Sequence, residues 1–109
     1  MARAVARVSM PKQATKGDVI EIKTLIRHHM ETGYRVDSRG KSIRRDIVTK
    51  IKVRYDGDEV FAMDLTQGVS ANPYVAFTTV AVATGELEFV WEDNGGILTT
   101  VRKTLTVTE

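Results

Sequence analysis

The apolar residues of this chain recur with a period of two, and that spacing constrains the fold more than any other feature. In V-I-E-I-K-T-L-I-R-H, Ile20, Ile22, Thr24, Ile26 and His28 share one face of an extended segment. Glu21, Lys23 and Arg27 take the other, with Leu25 among them. In I-V-T-K-I-K-V-R-Y, Ile47, Thr49, Ile51, Val53 and Tyr55 oppose Lys50, Lys52 and Arg54. G-E-L-E-F-V-W-E sets Leu87, Phe89 and Trp91 against Glu86, Glu88 and Glu92. The last segment alternates through Ile97, Thr99 and Val101 to Leu105 and Val107. Alternation of this kind describes antiparallel strands with one face in a core and one in water.

Turn chemistry divides the strands. K-G-D at 16–18 follows a first strand near residues 3–9, and D-G-D at 56–58 reads as a tight hairpin. D-N-G-G at 93–96 is the clearest hairpin signal, because Asn and Gly tolerate the positive φ such turns need. A-N-P at 71–73 ends a loop and starts the strand Y-V-A-F-T-T-V-A-V. Only residues 29–46 form a long connection without strand pattern, and loops of that length in compact domains tend to be functional or disordered. About seven antiparallel strands and no helix in 109 residues predict one domain, 1–109, with an immunoglobulin-like β-sandwich fold. Trp91 is expected in its core. The chain has no cysteine, so no inter-sheet disulfide can help and burial must hold the sheets together.

Charge is distributed unevenly. Residues 1–54 carry 14 Lys/Arg against 5 Asp/Glu, whereas residues 55–109 carry 2 against 9. Such a chain can be electrically polarised and steer a charged partner. Alternatively, basic and acidic strands lie side by side and neutralise each other. Nucleic-acid binding is not expected, because the basic segment 35–54 has almost no interleaved aromatics and the acidic half would repel phosphate. No apolar run approaches the roughly 20 residues of a membrane span. The basic start M-A-R-A-V-A-R-V-S-M-P lacks a signal-peptide core. Taken alone, that predicts a cytoplasmic or processed chain.

Residues able to do chemistry are few. His28 and His29 are adjacent, so on a strand they would point to opposite faces, converging only if the chain bends. A zinc site with Glu31 or Asp37 would need such a bend, and the helical i, i+4 spacing of His-Glu-His sites is missing. His28 is expected as a hydrogen-bonded histidine at a strand end, and His29 as exposed. No serine lies in a nucleophile elbow. Asp56 and Asp58 sit on a hairpin tip, where solvation explains them. A binding role is therefore the default. Met30 and Tyr34 are apolar or amphipathic residues in a polar loop, and both types are enriched at interfaces. The alternative is that they fold back over the open end of the sandwich. Asn72-Pro73-Tyr74 offers a second rigid corner.

With these residues in view, the chain resembles the SoxZ family. The resemblance rests on K-G-D-x-I-x-I-K-x-L-I-x-H, H-M-E-T-G-Y-R-x-D-x-x-G-K-x-I-x-R-x-I, S-A-N-P-Y-x-x-F and G-E-L-E-F-x-W-x-D-N-G-G, in order over residues 12–107. His29 departs from the lysine or proline expected there. The resemblance implies a non-catalytic subunit of the sulfur carrier of bacterial thiosulfate oxidation, without cofactor or metal. It implies a heterodimer with SoxY, whose C-terminal cysteine arm holds the sulfur intermediates, and transient contact with other Sox enzymes. A cysteine-free subunit suits that role, since a second thiol could scavenge the carried sulfur. It also implies a periplasmic protein exported together with SoxY without a signal peptide of its own, and no membrane or nucleic-acid partner. The matching positions His28, Met30, Glu31, Gly33, Tyr34, Arg35 and Asp37, with Asn72, Pro73 and Tyr74, are candidates for the partner-facing surface. Arg39, Lys41, Arg44 and Arg45 are candidates for a basic steering surface. Two other readings stand beside this one: a generic immunoglobulin-like module binding protein or carbohydrate, and a small metal enzyme centred on His28 and His29.

Overall fold

The computed structural model describes residues 5–66, 69 and 71–109. The strands are β1 (Val5–Ser9), β2 (Gln13–Thr15), β3 (Val19–Arg27), β4 (Val48–Tyr55), β5 (Asp58–Asp64), β6 (Tyr74–Val80), β7 (Gly85–Asp93) and β8 (Leu98–Thr108). They form a three-stranded sheet, β1-β3-β6, and a five-stranded sheet, β2-β8-β7-β4-β5. The fold is an all-β, immunoglobulin-like sandwich. The molecule is elongated, 62 × 21 × 18 Å, and no helix among the described residues is long and apolar enough to cross a membrane.

Alternation places the core where the sequence predicts it. Ile20, Ile22, Thr24 and Ile26 of β3 face Ile51, Val53 and Tyr55 of β4 and Leu87, Phe89 and Trp91 of β7 across the interior, and all are buried. Burying each large aliphatic or aromatic side chain contributes about 1.5–3 kcal/mol. With no disulfide available, this layer holds the two sheets together. Phe61 of β5 stacks on Phe77 of β6 at 4.3 Å and closes one side of the sandwich.

Several expectations need correction. The described residues contain eight strands. The additional one, β2, is three residues long, too short to show a period, and pairs parallel with β8. The first strand is observed over 5–9, and residues 3 and 4 of the expected span lie outside the described residues. In β4 a bulge between Val48 and Lys50 lets Ile47 and Val48 both enter the core, leaving Thr49 half-buried. Ile97 is exposed, because it closes the β7–β8 hairpin by accepting the Asp93 N–H (3.1 Å) instead of entering β8.

The charge asymmetry resolves in part into cross-strand pairs. The cations of β4 meet the acids of its neighbours: Lys50 with Asp64, Lys52 with Glu59 and Arg54 with Glu88. Arg102 of β8 pairs with Glu86 and Glu88. Among the described residues, no carboxylate pairs with Arg39, Lys41, Arg44 or Arg45 in the β3–β4 connection. These four cations therefore form a local concentration of positive charge on that segment.

Candidate docking site

The connection from β3 to β4 is an ordered arm built as an irregular hairpin. At its base Glu31 and Asp46 exchange backbone hydrogen bonds (2.7 and 2.8 Å). Farther out, Ile43 N–H donates to Arg35 O, and Val36 bridges Ser42. Asp37 shapes the tip: its Oδ1 accepts the N–H groups of Arg39 (2.8 Å) and Lys41 (3.0 Å), and Gly40 supplies a φ of 80°. Gly33 has a φ of 87°, and a Cβ there would lie 3.1 Å from the Arg45 Cβ. A side chain at this position would push the two legs of the arm apart.

A polar knot ties this arm to the sandwich. His28 N–H donates to Asn72 Oδ1 (2.9 Å) and Asn72 N–H returns a bond to His28 O (2.7 Å), joining the end of β3 to the corner before β6. Asn72 adopts a left-handed φ of 54°, a conformation asparagine tolerates better than most residues. On the other leg, Ile47 N–H donates to Asn94 Oδ1 (2.8 Å) and Asn94 Nδ2 donates to Arg45 O (3.1 Å). The D-N-G-G hairpin therefore also fastens the arm.

The two histidines do not part as strand alternation predicts. The strand ends at Arg27 and Met30 takes a φ of 52°, so the chain bends and the rings stack at 4.9 Å. Both reach Asp46: His28 Nε2 lies 3.4 Å from Oδ1 and His29 Nε2 3.0 Å from Oδ2. His29 is exposed as expected, yet it belongs to this cluster. Ligand-capable atoms of His28, Asp46 and Asp93 also fall within 4.8 Å of one another. Their hydrogen bonds favour a structural role over metal binding. His28 Nδ1 accepts the Met30 N–H (3.0 Å), so a neutral ring carries its proton on Nε2, the atom facing Asp46. Asp93 Oδ1 already accepts the N–H groups of Gly95 and Ile97.

The candidate residues separate into builders and presenters. Met30 is a core residue: it is buried, and its Sδ accepts the Val48 N–H (3.3 Å). It folds back over the end of the sandwich and presents little surface to a partner. Pro73 is also buried, and its carbonyl accepts the Ile26 N–H. Glu31 is buried and receives Arg35 Nε on both carboxylate oxygens (3.1 and 3.2 Å). That hydrogen bond holds the Glu31 carboxyl below the usual glutamate range, against the opposing effect of burial, and raises Arg35 in return. His28, Gly33, Asp37 and Asn72 likewise shape the arm and its base. Asp37 and Asn72 are exposed as well; the other exposed residues are Tyr34, Val36 and Tyr74, with Arg35, Arg39, Lys41, Arg44 and Arg45. His29, Met30, Glu31, Thr32 and Arg35 line a shallow cleft of about 240 Å³ at the root of the arm. Asp46 and Asn94, which anchor the arm, are the site-building positions that sequence reasoning passed over. Asn94 gave a partial signal by standing in a conspicuous turn.

The arrangement offers an aromatic and a valine on a cationic, firmly based projection, which suits protein contact better than catalysis. Among solved structures, the fold is similar to a superoxide reductase (neelaredoxin) from Ignicoccus hospitalis, with a TM-score of 0.69 and 16% identity, covering 94% of this chain and 79% of that one. It is similar also to the sulfur carrier protein SoxY from Chlorobium limicola f thiosulfatophilum, with a TM-score of 0.65 and 18% identity, covering 95% and 79%. At these identities the likeness is one of fold. No curated protein matches the chain. The family model of the sulphur oxidation protein SoxZ matches residues 7–103, a span that includes β3, the arm, the Asn72 corner and the Asn94 hairpin. The chain belongs to the SoxZ family.

Proposed function

We propose that this protein is the non-catalytic subunit of a SoxYZ-type sulfur carrier, pairing with SoxY in the periplasm during thiosulfate oxidation. SoxY holds the sulfur intermediates on its cysteine arm, and this subunit helps present that arm to the other Sox enzymes. The observation that carries the proposal is the β3–β4 arm, which lies wholly inside the family match and exposes Tyr34 and Val36 among its cations. Exposed aromatics beside arginines are typical anchors of protein interfaces. The cations Arg39, Lys41, Arg44 and Arg45 steer an acidic partner surface or an anionic sulfur adduct toward the arm.

Co-expression with SoxY tests this reading. Tyr34→Ala should weaken the heterodimer about tenfold or more while leaving the melting temperature of this chain alone unchanged. Arg44→Glu with Arg45→Glu should slow association and flatten its salt dependence. A heterodimer that forms with undiminished affinity in both variants rules out the arm as the docking surface. Cell fractionation with and without SoxY tests the shared export.

A further inference from the structure

The two sheets have four edges, and three of them carry features that discourage pairing with another chain. β2 is only three residues long. β5 begins Asp58-Glu59, ends at Asp64 and faces β4 across a bulge between Val53 and Arg54. β1 carries Arg7 at its centre. β6, Y-V-A-F-T-T-V, has none of these features. It holds seven residues without a charge, a proline or a break in register with β3, and it lies in an uncharged run from Leu65 to Gly85. Natural sheets protect long flat edges of this kind, because open N–H and C=O groups recruit another strand.

The direction of those groups can be read from the ladder. Ile26 N–H bonds Pro73 O and Ala81 N–H bonds Asp18 O, at the two ends of one unbroken register. In an antiparallel ladder the residues alternate, so odd-numbered β6 residues turn their backbone groups to β3. Tyr74, Ala76, Thr78 and Val80 turn theirs to the open edge. Among the described residues, none of these outward groups has a hydrogen-bond partner.

We propose that the β6 edge pairs antiparallel with β6 of a second copy of this chain, on a two-fold axis at Phe77. In that register Tyr74 lies opposite Val80 of the other copy and Ala76 opposite Thr78. Every outward residue then meets an outward residue, and all their N–H and C=O groups are paired. Tyr74 faces the smaller Val80, the two copies of Phe77 meet on the axis, and no charges meet. The same operation on β5, centred at Phe61, would set Asp58 against Asp64, so self-pairing is specific to β6. The neighbouring β5 rims would also approach each other, but Asp64 and Glu59 are each paired with a lysine of their own chain. The result is one continuous six-stranded sheet. This pairing is independent of whether the arm engages SoxY, and it predicts a carrier with two copies of each subunit.

Sedimentation of the isolated chain and of its complex with SoxY over a range of concentrations tests the pairing. The native chain should show a reversible monomer–dimer equilibrium. Ala76→Lys with Thr78→Lys sets lysine opposite lysine and should raise the dimer dissociation constant about tenfold or more. Ala76→Glu with Thr78→Lys sets glutamate opposite lysine in this register alone and should restore dimerisation. Both positions are exposed on the outer sheet face, and melting curves check that each variant stays folded. Failure of the native chain to self-associate in either setting overturns the proposal, and so does equal dimerisation of the two double variants. A one-to-one native complex that loses SoxY in the double-lysine variant assigns the edge to SoxY and equally overturns self-pairing.

Discussion

The two ends of the sandwich are closed by different means. At one end the connections are short. Asp56 and Gly57, with φ of 51° and 86°, make the two-residue β4–β5 turn. The Tyr55 hydroxyl fastens the neighbouring β6–β7 connection, donating to Ala83 O and accepting the N–H groups of Val82 (3.3 Å) and Ala83 (3.2 Å). Gly85 packs so closely that a Cβ would meet the Asp56 Cβ at 3.2 Å. At the other end the chain leaves β3, travels out along the arm and returns to β4. There the polar groups of His28, Asp46, Asn72 and Asn94 secure only the root. One end is committed to closing the core, and the other holds a base rigid so that a surface can project from it. Loops positioned by a rigid scaffold are where binding residues concentrate.

The contrast is most exposed at Met30, an arm residue that belongs to both the loop and the core. Met30→Ala should lower stability by about 2–5 kcal/mol through the cavity it leaves. It also strips the buried Val48 N–H of its acceptor. Denaturant unfolding reads the loss directly. A change below about 1 kcal/mol would mean that the arm is seated without its core plug, and the division between base and surface would fall. At the opposite end, Tyr55→Phe keeps the ring and removes the hydroxyl, at a cost of about 1–3 kcal/mol. Asn94→Ala should cost less, about 0.5–1.5 kcal/mol, because its site is partly open to water. Amide exchange sharpens the comparison. Asn94→Ala should speed exchange at Glu31, Asp46 and Ile47 while Val82 and Ala83 stay protected, and Tyr55→Phe should do the reverse. Equal loosening of both ends by either change would show that they are not separate units.

Strands, core faces and hairpins were legible in the sequence because their causes are local. Alternation at Ile20–Ile26 or Leu87–Trp91 needs only neighbouring residues, and D-N-G-G carries its own turn. The root of the arm was not legible, because its partners come from distant parts of the chain. His28 meets Asn72 44 positions away, and Ile47 meets Asn94 47 positions away. The stacked histidines illustrate the same limit. Alternation holds only while the chain stays extended, and the positive φ at Met30 ends it. Met30 itself was ambiguous for a physical reason: an unbranched thioether suits an interface and a core gap equally well, and only the position of Val48 decides between them.

The smallest effect expected is also confined to the arm. Arg35, itself well exposed, bonds the Glu31 carboxylate and lowers its pKa relative to the ordinary value of 4.5. A depressed carboxyl contributes stability that is present above the unfolded value and lost as pH falls through the folded one. Glu31→Gln removes that contribution at every pH. The melting temperatures of the native chain and the Glu31→Gln variant should therefore differ slightly at neutral pH and converge as pH drops below about 4.5. Salt should narrow the gap as well, because one partner stands in solvent. The exchange rates that report on Val82 and Ala83 should not follow this titration. If they do, protonation of a single arm carboxylate reaches the far end of the sandwich, and the two ends are coupled through β4 and not independent.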